Sequence, residues 1–211
     1  MPKSTNREYK KGKPFRDARK FFIVCEGERE ADYFNFFDGK SRKLVIDVSP
    51  PIKQHQGESA PSKLKERAIN HIEKSGWDEN FNDQLWFVLD VDSWEREAID
   101  SLCAITEEFS NWGIGISNPC FEVWLYYHKA DGFTIQPKNA QHMKQILHQQ
   151  VNGGYTLEEY APEIETAIVN SESNDKVPQS DFPDLCVTKV YKLAREFINL
   201  LEKDDGRLKF I

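Results

Sequence analysis

Apolar and polar positions along the chain change period in a regular way after residue 20. Lys20–Cys25 is a nearly continuous run of Phe, Ile, Val and Cys bounded by charges, the pattern of a strand buried on both faces. Glu28–Phe37 places Tyr33, Phe34 and Phe37 at helical spacing and closes at Asp38-Gly39. Leu44–Val48 alternates and stops at Ser49-Pro50-Pro51, which predicts a second strand. Beyond a polar loop, Pro50–Pro61, the segment Ser62–Ser75 turns Leu64, Ala68, Ile69 and Ile72 to one face. Leu85–Leu89 predicts a third buried strand. Trp94–Phe109 predicts a helix with Ile99, Leu102, Ile105 and Phe109 inward. Gly113–Ile116 is a short fourth strand and Pro119–His128 a strongly apolar helix.

Strands alternating with helices of this length build right-handed βαβ units and a mainly parallel sheet. After about residue 130 the strand pattern stops. Lys138–Gln150, Leu157–Asn170 and Leu185–Leu201 read as three helices, with a polar loop at Ser171–Pro183. The organisation expected is an arm over residues 1–19, an α/β core over 20–130 with a mainly parallel four-stranded sheet, and a helical extension over 131–211 packed on that core. No internal repeat interrupts it.

Composition narrows the class. A chain of 211 residues buries enough surface to need no disulfide or zinc staple. Cys25, Cys103, Cys120 and Cys186 form no C-x-x-C pair, and Cys25 and Cys120 sit in apolar runs as small core residues. The longest apolar run, Leu85–Leu89, is far short of a membrane span. The start, Met-Pro-Lys-Ser-Thr-Asn-Arg, lacks the apolar stretch of a signal peptide. A cytoplasmic protein with no membrane partner is the expectation. The net charge of −7 hides an asymmetry: residues 1–20 carry +6 and the remainder −13. A basic arm on an acidic body can hold nucleic acid through phosphate counterion release, or it can serve solubility alone.

Candidate chemistry falls where a parallel sheet binds ligands, beyond the carboxyl ends of its strands. Glu26 directly follows strand one, with Gly27 beside it and Glu28 and Glu30 in the next turn. Asp90 closes strand three, and Asp92 lies two residues on. Ser117-Asn118-Pro119 follows strand four, with Asn118 as the expected helix cap and Glu122 in the first turn. Carboxylates converging from three strand ends repel unless a cation neutralises them. An oxygen-only donor set suits Mg²⁺ or Mn²⁺ rather than zinc, and such sites act on phosphate esters. Each acid has a plainer reading as a helix cap or dipole partner; the coincidence at three strand ends carries the inference.

The segments FFIVCEGEREADYF, WFVLDVDSW and ISNPCFEVWLYYH resemble the RloB family, whose core is similar to the Rossmann-like Toprim domain of topoisomerases, primases and overcoming-lysogenization-defect nucleases. The likeness runs from about Lys20 to His128, with a weaker match at Pro183–Leu193 around Thr188. It departs at Arg29 and Ala31, where the family pattern has Thr and Pro. The resemblance implies catalytic roles for Glu26, Asp90 and Asp92 and metal ligation by Glu26, Glu30, Asp90, Asp92 and Glu122. It also implies an effector nuclease of anti-phage defence. Its substrate would be RNA, tRNA included, or DNA. A partner ATPase or restriction-system subunit and a homo-oligomer are the further partners to expect.

Other motifs absorb less. His128 lies about 240° round a helix from Glu122, so it reads as a core or helix-end histidine. His55 and Gln56-Gly57 lie in the Pro50–Pro61 loop, read as a surface loop more than a closing lid. Trp86, Trp94, Trp112 and Trp124 read as core. No G-x-x-x-x-G-K-[ST] loop or covalent-nucleophile motif is present. The leading reading is a Mg²⁺- or Mn²⁺-dependent Toprim-type nuclease. The alternative is a non-catalytic module binding nucleic acid or a partner ATPase, and a third reading is nucleotidyl transfer.

Overall fold

The structure is a computed structural model that describes residues 18–49, 61–78, 81–151 and 154–202. Residues 1–17 of the expected arm (1–19) and most of the Pro50–Pro61 loop, His55 included, lie outside the described residues. Arg19, counted with the arm, is the first residue of β1 (Arg19–Cys25), where its amide donates to Lys43 O at 2.9 Å. The remaining strands are β2 (Leu44–Ser49), β3 (Gln84–Asp90) and β4 (Trp112–Ser117). All pair in parallel in the order β2-β1-β3-β4. Their carboxyl ends therefore lie at one edge, and Asp90 stands in register with Ser117.

The runs in β1 and β3 are apolar throughout because each strand faces a helix layer on both sides. Phe21, Ile23, Cys25, Trp86 and Val88 share one core with Tyr33 and Phe34 of α1 (Glu28–Asn35), Trp124 of α4 (Glu122–Tyr126), and Leu193 and Phe197 of α8 (Val190–Glu202). Phe22, Val24, Leu85, Phe87, Ile114 and Ile116 pack with Leu64 and Ala68 of α2 (Pro61–Ser75) and Ile99 and Leu102 of α3 (Arg96–Glu107). Gly115 lets the start of α8 settle on β4: a Cβ there would stand 3.2 Å from Val190 Cα. The helical extension thus completes the larger core.

Several boundaries and faces differ from the expectation. Ile69 is exposed (37%), because α2 buries a narrower stripe than its apolar period predicts, and Phe109 is exposed (39%) because α3 ends at Glu107, leaving its ring stacked on Trp112 beyond the helix. A short 3₁₀ turn, Val91–Ser93, delays α3 to Arg96. The helix predicted over Pro119–His128 shrinks to α4, capped by Phe121 and not by Asn118. Asn118 precedes a cis proline bond and faces the other way: its amide donates to Val187 O (3.0 Å) and its side chain to Pro183 O (3.0 Å).

In the extension, α5 (Ala140–Gln150) starts on an Asn139 cap whose side chain accepts from the His142 amide at 2.9 Å. The single helix predicted over Leu157–Asn170 is two, α6 (Leu157–Tyr160) and α7 (Ile164–Asn174). They are separated by a 3₁₀ turn at Ala161–Glu163, where Pro162 has no N–H to continue the ladder. Helix α7 runs on into the expected Ser171–Pro183 loop. Helix α8 starts at Val190 rather than Leu185, since Thr188 forms an antiparallel bridge with Ser117.

His128 is a core residue. Its Nδ1 meets Trp124 O at 3.0 Å and its Nε2 lies 2.9 Å from the Tyr33 hydroxyl. Burial lowers its pKa to about 3, so the ring is neutral and Nδ1–H donates to the carbonyl. Cys25 and Cys120 are buried free thiols. No helix among the described residues is long and apolar enough to cross a membrane.

Candidate functional site

Each acidic side chain at the carboxyl edge is placed by the element before it. Glu26 leaves the end of β1, and its Oε2 accepts from Trp94 Nε1 (2.9 Å) and from the Asp90 amide (3.4 Å). Trp94 thus serves the site as well as packing against the smaller core. Neither periodicity nor spacing announced that role. Gly27 leaves room for the buried Glu30 carboxylate: a Cβ there would lie 2.6 Å from Glu30 Oε2, and the Glu30 side chain would have to shift to admit one.

Asp90 ends β3 with its Oδ1 buried and without a hydrogen-bond partner. Asp92 is exposed in the 3₁₀ turn, which is held by its amide donating to Pro119 O at 3.2 Å. Glu122 opens α4 and is 3% exposed, in an ion pair with Arg29 Nη1, and Lys144 Nζ stands 4.0 Å from the same oxygen. Arg29 and Lys144 were not among the candidates, because a cation four residues into a motif of acids carries no periodic signal.

The electrostatics tie these groups together. Burial drives the Asp90 carboxyl well above its ordinary value, and Glu30, Glu26, Glu122 and Asp92 each push it further. Glu30 is also raised, by burial first and then by Glu122 and Glu26, against a lowering backbone hydrogen bond and the Arg29 charge. The other four candidate acids therefore all act on Asp90 at one sheet edge. A deeply buried carboxylate oxygen without a donor is costly unless something positive meets it.

The residues fit a hard divalent ion in kind: every donor is a carboxylate, with no thiolate or imidazole among them. Among the described residues, however, no three His, Cys, Asp or Glu side chains stand grouped as a formed metal site. Glu122, read as a fifth ligand, is already engaged by Arg29. A recess of about 640 Å³ lined by Arg19, Asn82, Gln84 and Ser110 opens at the amino edge of the sheet. That is the opposite end from the carboxylates, and the wrong end for ligand binding by a parallel sheet.

An all-parallel α/β sheet with acids massed beyond its strand ends defines a Rossmann-like protein with an acidic site at the carboxyl edge. The chain belongs to the RloB-like family, whose model matches residues 21–197 and so spans both the sheet and the helical extension. Neither the curated proteins nor the solved structures contain a match.

Proposed function

We propose that the protein is a metal-dependent nuclease that hydrolyses phosphodiester bonds in RNA or DNA at the carboxyl edge of its sheet. The observation that carries this reading is Asp90: its Oδ1 is buried and unpartnered, and four further acids raise the pKa of its carboxyl beyond the effect of burial. Glu26, Asp90 and Asp92 would hold a Mg²⁺ or Mn²⁺ ion there. Such an ion supplies Lewis-acid stabilisation of phosphoryl charge and a water of lowered pKa.

The chain's own residues do the positioning. Trp94 and the Asp90 amide both bind Oε2 of Glu26 and fix that carboxylate's orientation. Buried Glu30, with its raised pKa, is suited to hold a proton beside it. Membership of the RloB-like family is compatible with such an activity. A role as an effector of anti-phage defence, alongside a partner ATPase or restriction subunit, belongs to the same proposal and rests on the resemblance alone; its cytoplasmic setting rests on the cysteine pattern of the sequence.

The test is incubation of the full chain with tRNA, total RNA and plasmid DNA in Mg²⁺, Mn²⁺ or EDTA, beside Glu26→Ala. Cleavage that needs the metal and falls about 10²-fold or more in the variant is the expected outcome. No cleavage of any substrate, or cleavage equal in both proteins, would instead favour a non-catalytic binding module.

A further inference from the structure

Two acids of the carboxyl edge have opposite surroundings. Asp90 Oδ1 has no hydrogen-bond partner. Glu122, 3% exposed, is met at Oε1 by the Arg29 guanidinium, with the Lys144 ammonium 4.0 Å away. Arginine stays protonated at any working pH, so this neutralisation is permanent. Arg29 is held from a second side as well, its Cζ lying 5.8 Å from the Tyr155 ring centroid, within cation–π range.

A divalent ion approaching Glu122 would have to displace the guanidinium from Oε1, or bind Oε2 of the same carboxylate against that neighbouring positive charge. We infer that Arg29 is a resident cation of this site. It neutralises Glu122 from within the chain, with Lys144 behind it, so the acidic edge takes up one divalent ion at Glu26, Asp90 and Asp92 and not a second at Glu122. The inference rests on the metal-binding reading above and deepens it by fixing the stoichiometry. The half-exposed Arg29 side chain, 47% accessible, stays on the solvent side of that pair.

The experiment counts Mn²⁺ bound per full-length chain, by electron paramagnetic resonance of the free ion during titration. Wild type and Glu122→Gln should each bind one ion. Arg29→Met combined with Lys144→Met should bind two, and adding Glu122→Gln to that pair should restore one. A wild-type count of two, or a count that stays at one when both cations are removed, overturns the inference while leaving the nuclease reading intact. No Mn²⁺ bound by any of these proteins overturns both. Should the double variant not fold, as judged by circular dichroism, wild type and Glu122→Gln decide alone. Equal counts of one support a resident cation, and a wild-type count above one overturns it.

Discussion

Asp90→Asn is expected to remove cleavage, by about 10²-fold or more, while making the metal-free protein more stable. The sign follows from linkage. Asp90 is an acid whose pKa is raised on folding, chiefly by burial and then by Glu30, Glu26, Glu122 and Asp92. The unfolded chain therefore loses this proton at lower pH than the native protein. Stability drains away as pH rises from the ordinary carboxylate value through the raised one. Asparagine keeps the shape and removes the charge. At neutral pH in EDTA the variant should melt higher than wild type, on a scale of about 2–4 °C per kcal/mol for a chain this long. Near pH 4 and below, where the native carboxyl is already neutral, the difference should close. A melting temperature several degrees below wild type at neutral pH would make Asp90 a structural residue.

Lys189→Met is expected to lower stability by about 3–5 kcal/mol, or roughly 6–20 °C in melting temperature. Lys189 is 1% exposed, and its Nζ donates to Asp175 Oδ2 at 2.6 Å and to Val177 O at 2.8 Å. The Tyr191 hydroxyl donates to the same carboxylate oxygen at 2.7 Å. Burial alone would raise the Asp175 carboxyl, but the hydrogen bonds from Lys189 and Tyr191 outweigh it and hold the pKa below its ordinary value.

Methionine matches the lysine stem and leaves the carboxylate without its cation, the costly way to break a buried pair. A second change, Asp175→Leu, should recover part of the loss by removing the stranded charge. The network bears on the site through the backbone. The Lys189 amide donates to Ile116 O at 2.7 Å, and Thr188 bonds Ser117 Oγ at 2.8 Å, beside the Asp90 register position. Chemical denaturation of the three proteins checks this. A single-variant loss below about 1 kcal/mol would show that water or another donor replaces the ammonium.

The sheet was legible in the sequence because its signal is local. Four short apolar runs, each bounded by charge, Gly or Pro, sit where the four strands form, and their alternation with helices dictates the parallel edge to which Glu26 and Asp90 belong. Contacts between distant segments were not legible. Asn118 reads as a helix cap from its neighbours, yet it bonds Pro183 and Val187, some 65 residues on. Thr188 and Lys189 likewise look like the start of a helix, and their pairing with β4 depends on how α8 crosses the sheet. The same blindness hid Arg29. Its position among acids says only that it is charged, and its partner, Glu122, is 93 residues away. Ile69 fails for another reason: an apolar period marks the side facing the core but not how wide a stripe the neighbouring layer covers, while Phe109 continues the period past the point where α3 ends.

Whether the carboxyl-edge acids hold a divalent metal is decided by a Mn²⁺ titration of the melting temperature. Binding to the native state alone stabilises by mass action, about 2.7 kcal/mol at one hundred times the dissociation constant. Wild type should therefore melt progressively higher as Mn²⁺ is added, and Asp90→Asn combined with Asp92→Asn should show no such rise. Equal shifts in the two proteins would put the metal elsewhere and contradict the account.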